Sequence, residues 1–76
     1  GVDAMFAIQL IPQFPNLRKL VLSAKKLKEG LDLRHLSSSL PLLKDLDLDN
    51  LTLENTESLT NLAHLSSLRF KGCLIR

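Results

Sequence analysis

Asp32, His35 and the run Ser37, Ser38 and Ser39 fall within eight residues of one another. An acid, an imidazole and a hydroxyl are the materials of nucleophilic catalysis, but a working triad also needs its nucleophile on a rigid turn beside an oxyanion hole. The surrounding residues, Leu31 to Leu40 (LDLRHLSSSL), supply neither. Serines ahead of Leu40-Pro41 fit the solvated end of a helix and the turn that follows. His64 and Cys73 are the other candidate soft metal ligands, and neither belongs to a C-x-x-C or H-x-x-x-H grouping. Cys73 is expected to pack as a small apolar group in a turn. Gly1, Gly30 and Gly72 are isolated, so no phosphate-binding loop is formed. The sequence therefore predicts no enzyme, no cofactor and no metal.

Charge narrows the partners. Ten Lys and Arg stand against eight Asp and Glu, a net charge of +2, which gives little global attraction for nucleic acid or anionic membrane. Arg18, Lys19, Lys25, Lys26 and Lys28 form a local basic cluster. Single-strand binders add aromatic stacking platforms, whereas this chain has no Trp or Tyr, and Phe6, Phe14 and Phe70 occupy positions expected in the core. Nucleic acid is thus an unlikely partner. A single cysteine cannot build a disulfide framework, which favours a reducing, intracellular setting, cytoplasmic or nuclear. Ala4 to Ile11 is apolar but too short to span a bilayer, and no basic residue precedes it as in a signal peptide. The formal glycosylation sequon at Asn50-Leu51-Thr52 matters only in a secreted protein.

One pattern organises the chain. Leu17-Arg-Lys-Leu20-Val-Leu22, Leu43-Lys-Asp-Leu46-Asp-Leu48 and Leu65-Ser-Ser-Leu68-Arg-Phe70 each read L-x-x-L-x-L, with an aromatic in the last place of the third. The copies start 26 and then 22 residues apart. Alternation at the end of each copy predicts a strand with one apolar and one polar face. Five residues beyond each copy comes another apolar residue: Leu27, Leu53 and Ile75. Between strands the apolar spacing becomes three or four: Leu33, Leu36 and Leu40, then Leu59, Leu62 and Leu65. That spacing marks short helices, and Phe6 to Leu10 repeats it with Asp3 as N-cap candidate. Asn55, Thr56 and Ser58 are cap candidates for the last helix. Proline before two of the strands, in Phe14-Pro15-Asn16-Leu17 and Leu40-Pro41-Leu42-Leu43, ends the helix ahead of it.

The L-x-x-L-x-L-x-x-N/C-x-L pattern and its period resemble the leucine-rich repeat family, whose period is about 20 to 29 residues. The resemblance covers about residues 3 to 76. Cys73 falls on the N/C position, whereas Lys25 and Leu51 hold it in the first two copies and Asn50 lies one place early. The resemblance implies an α/β fold: a short leucine-rich repeat solenoid of about three strand-turn-helix units, 3–27, 28–53 and 54–76, forming one domain with a parallel sheet on one face and helices opposite. Phe-Pro-x-Leu and Leu-Pro-x-Leu-x-x-Leu-x-Leu openings are similar to repeat segments of plant F-box proteins and plant intracellular immune receptors. The first likeness implies substrate recognition in a ubiquitin ligase, the second sensing.

In that register Leu46 and Leu48 point inward, and three outward rows share the exposed sheet: Lys19, Val21 and Ser23; Asp45, Asp47 and Asp49; Ser67, Arg69 and Lys71. These nine are the candidate partner-binding residues. Adjacent strands lie about 4.8 Å apart, so Lys19 with Asp45 and Asp47 with Arg69 are plausible lateral pairs. The charges either solubilise the sheet or form an acidic stripe for a basic partner. The expected function is binding another protein, identity open, through this face. The alternative is a structural spacer or cap of a longer array. Stacked repeats have apolar ends unless capped, and the ending Cys73-Leu74-Ile75 suggests part of a longer chain or assembly.

Overall fold

Leucines alternating with aspartates dictate a strand with one buried edge of side chains, and that strand is the centre of the molecule. The computed structural model describes residues 9–24 and 30–76. Strand β1 is Lys19–Ser23, β2 Gly30–Asp32, β3 Asp45–Asp49, β4 Thr52–Glu54, β5 Ser67–Lys71 and β6 Leu74–Ile75. An α-helix, α1, spans Leu33–Ser39 between β2 and β3. Short 3-10 helices occupy Ile11–Gln13 and Thr56–Asn61. The architecture is α/β, with two small parallel sheets.

The chain visits the sheets in turn. β1, β3 and β5 form the first sheet in that order, all parallel. β2, β4 and β6 form the second, again parallel and in order. Leu20, Leu46 and Leu68 share one register level, and Leu22, Leu48 and Phe70 another. Between the sheets lies a leucine core: Leu31, Leu33, Leu36, Leu40, Leu43, Leu48, Leu51 and Leu53 are essentially inaccessible and Leu46 is 2 % exposed. Each such burial stabilises the fold by roughly 1.5 to 3 kcal/mol, which makes this column the main favourable contribution.

The second sheet corrects the expected plan of one sheet with helices opposite. Past the left-handed residues Asn50 and Gly72 the chain runs extended again, and backbone amides passing at strand distance must find partners. Thr52–Glu54 therefore bonds its neighbours on both sides. Leu53 fills the core at that point with no exposure, whereas Ile75 at the same level of the outer strand is 60 % exposed. Leu27 lies outside the described residues.

The helical segments follow their apolar spacing. Asp32 caps α1 by accepting from the Arg34 backbone N–H, Leu33 and Leu36 form the buried face, and Leu40 closes the last turn with its N–H on Leu36 O. Pro41 then blocks continuation. Leu59 and Leu62, three apart, fall on the tighter 3-10 period of Thr56–Asn61, with Leu62 buried and Leu59 packed against the core. Leu65 lies beyond that helix, in the loop to β5.

Phe14 departs from expectation: it is 55 % exposed rather than in the core. The 3-10 turn Ile11–Gln13 buries Ile11 and leaves Phe14 at its cap, held to Ile11 O through its N–H and accepting from Leu17 N–H in the turn that follows. Phe70 is half-buried against the core. Phe6, Asp3 and most of the Ala4 to Leu10 run lie outside the described residues.

Candidate partner-binding face

Strand pleating sends Lys19, Val21 and Ser23 of β1 to the side opposite Leu20 and Leu22, and all three are exposed. The same alternation turns Asp45, Asp47 and Asp49 outward on β3, and Ser67, Arg69 and Lys71 outward on β5. Register brings them level: Lys19 beside Asp45 beside Ser67, Val21 beside Asp47 beside Arg69, and Ser23 beside Asp49 beside Lys71. The structure therefore gathers all nine candidate residues on one open face.

The central row is half-buried, its flanks exposed. Successive outward carboxylates on a strand stand about 6.6 Å apart, giving three acceptors in a line. Among the described residues the ion pairs are Arg34 with Asp32 at 2.7 Å and Arg76 with Glu54 at 3.5 Å. The anticipated lateral pairs, Lys19 with Asp45 and Asp47 with Arg69, are thus level in register without forming ion pairs. Exposed pairs across a sheet gain at most about 1 kcal/mol and cost side-chain freedom, so open separation is physically reasonable. A depression of about 240 Å³ opens at the strand beginnings, lined by Lys19, Asp45, Asp47, Ser67 and Arg69. Val21, 58 % exposed, adds an apolar contact beside the acidic row.

The other candidates serve the scaffold. The Asp32 carboxylate accepts from Arg34 Nε at 3.1 and 3.0 Å, from Arg34 Nη2 at 2.7 Å and from Asn55 Nδ2 at 3.0 Å. Hydrogen bonds from the Arg34 side chain, its backbone N–H and Asn55 hold that carboxyl far below the ordinary carboxylate value. The same bonds raise the Arg34 guanidinium. Ser37 and Ser38 donate to the carbonyls of Arg34 and His35, one turn back in α1. Asn55 occupies the N-cap position of the 3-10 helix but reaches back to Asp32, and Ser58 Oγ donates to Asn55 O at 2.6 Å. Cys73 packs against the core and donates its thiol to Leu48 O at 3.4 Å. Leu51, at the same repeat position, is fully buried instead. Lys25, Lys26 and Lys28 lie outside the described residues, leaving Arg18 and Lys19 of the basic cluster.

Arg34 is not among the residues the sequence singles out, and Asn55 enters there only as a helix-cap candidate, not as a partner of Asp32. The pattern Asp-x-Arg opening a helix was available as a signal; the 23-residue reach of Asn55 was not. No family model, curated protein or solved structure matches this chain. Among the described residues, no helix is long and apolar enough to cross a membrane.

Proposed function

We propose that the chain is a protein-interaction module of the leucine-rich repeat type, a short solenoid of about three units that binds another protein through the face of β1, β3 and β5. The observation that carries this reading is the line of Asp45, Asp47 and Asp49, held at the centre of an open sheet with no ion pair among the described residues. Carboxylates so placed are acceptors for a partner's cations, and the flanking Lys19, Arg69 and Lys71 set the width of the acidic line. Substrate recognition in a ubiquitin ligase and sensing in an immune receptor are the kinds of work such a face performs. The free thiol of Cys73 supports an intracellular setting.

Charge reversal of Asp47 tests the reading. A partner captured by the wild-type chain should be lost by Asp47→Lys while the thermal transition is retained. Unchanged capture by a folded variant would return these charges to solubility, and a chain in which only core substitutions matter would be a structural spacer.

A further inference from the structure

The depression at the strand beginnings collects two cations and two carboxylates, Lys19 and Arg69 against Asp45 and Asp47, with the Ser67 hydroxyl beside them. Its charge therefore cancels. So does that of the whole outward grid, where Lys19, Arg69 and Lys71 stand against Asp45, Asp47 and Asp49. A uniformly basic segment crossing this face meets the acids of β3 but also sets cations against Lys19 and Arg69, and a uniformly acidic one fails on the acids. The surface reads the order of charges rather than their sum. All four charges are uncommitted: Lys19 is level with Asp45 and Arg69 with Asp47, yet neither pair closes among the described residues. Their side chains rise outward from β1, β3 and β5, so the depression belongs to the face and not to either edge.

Register fixes the pattern. Lys19 and Arg69 lie on opposite sides of β3 and one outward position apart along it, since Lys19 pairs with Asp45 and Arg69 with Asp47. Two strand spacings are about 9.6 Å and two residues along a strand about 6.6 Å, so the two cations are rooted at the ends of a diagonal of about 12 Å. Asp45 and Asp47 flank its middle. A ligand that satisfies all four carries an anion at each end and a cation at the centre. In an extended peptide alternate side chains point the same way, so residues i, i+2 and i+4 span about 13 Å and match this diagonal. On a helix the same charges placed four apart already pair with one another, which favours the extended form. Arginine suits the centre, because its planar fork donates to two carboxylates at once where an ammonium is a point charge.

The geometry points to a partner segment of the order acid-x-Arg-x-acid, lying extended across the face along the line from Lys19 to Arg69. Its arginine sits between Asp45 and Asp47, and its acids meet Lys19 and Arg69. This inference rests on the sheet-face reading and narrows it from a basic partner to a charge-alternating one.

The probe is the end-capped peptide Gly-Asp-Thr-Arg-Thr-Asp-Gly, titrated into the isotopically labelled 76-residue chain and followed through amide chemical shifts, which register weak binding and locate it. Saturable shifts at Lys19, Asp45, Asp47 and Arg69 are expected, with binding at least about tenfold weaker for the isomer Gly-Asp-Asp-Thr-Thr-Arg-Gly, whose net charge is the same. Lys19→Glu/Arg69→Glu should weaken the alternating peptide at least about tenfold and strengthen Gly-Arg-Thr-Arg-Thr-Arg-Gly to a similar extent. Should that variant fail to melt cooperatively, Lys19→Gln/Arg69→Gln replaces it, with loss of the alternating peptide expected. No saturable shift, equal binding of the two isomers, or a wild-type preference for the all-arginine peptide would each overturn the proposal. The last of these leaves the acidic row as a site for basic partners, whereas the sheet-face reading itself falls only when a captured protein survives Asp47→Lys.

Discussion

Asn55 Nδ2 donates to Asp32 Oδ1 across 3.0 Å, joining residues 23 apart in the chain. Asp32 caps α1, and Asn55 holds a left-handed corner with φ of 58° just before the 3-10 helix Thr56–Asn61. The two elements that cover one side of the leucine core are thus tied at their entrances. Asn55 serves twice: its short side chain tolerates the left-handed conformation, and its amide makes the lateral bond.

Asn55→Ala should destabilise the fold by about 1 to 3 kcal/mol, since it loses a hydrogen bond to a carboxylate and strains the corner. Asn55→Gly should cost less, because glycine keeps the left-handed backbone and loses only the bond. Urea unfolding of the two variants measures the difference; equal losses would show that corner strain contributes nothing.

Acid should act through Asp32. Its carboxyl titrates far below the ordinary 3.8 in the folded chain, held there first by the Arg34 side chain. The unfolded chain therefore takes up that proton first, so the stabilisation is complete above the ordinary carboxylate range and drains away as pH falls below 3.8 toward the folded value. Asp32→Asn should lower stability at neutral pH and flatten the loss between about pH 4 and pH 2 in thermal melts. A variant with an unchanged acid slope would contradict this role.

Leu46 is 2 % exposed at the centre of β3. Leu46→Ala should cost about 2 to 5 kcal/mol, and Leu46→Asp should abolish the cooperative thermal transition by placing an unpaired charge in the core. A transition near that of the wild type would remove Leu46 from the core.

Gly72 follows β5 as Asn50 follows β3, and both hold left-handed corners, at φ of 64° and 57°. A methyl group at Gly72 would stand 2.7 Å from Asn50 Oδ1. Gly72→Ala should therefore cost about 1 to 2 kcal/mol for the backbone alone, plus the contact. Pairing it with Asn50→Gly should recover the contact part, read from chemical denaturation of single and double variants.

Much of this architecture is written in local pattern. Leu20, Leu22, Leu46 and Leu48 alternate with polar residues, so their strands and shared register follow from the period of two. The period of three or four through Leu33, Leu36 and Leu40 gives α1 in the same way. Strands β2, β4 and β6 were not legible, because two or three residues carry too little periodicity and form only where neighbouring turns bring their amides together. Phe14 misled because apolar character alone does not say which of Ile11 and Phe14 the 3-10 turn buries. On the candidate face, level pairing of Asp47 with Arg69 was readable from spacing. Whether long side chains close into an ion pair depends on rotamers and solvation that spacing does not encode.

Capture by the wild-type chain beside Asp45→Lys/Asp47→Lys/Asp49→Lys, with thermal melts of both, tests the interaction face most directly. A protein held by the wild type and lost by a cooperatively melting variant is the predicted result. The same protein held by both would contradict it.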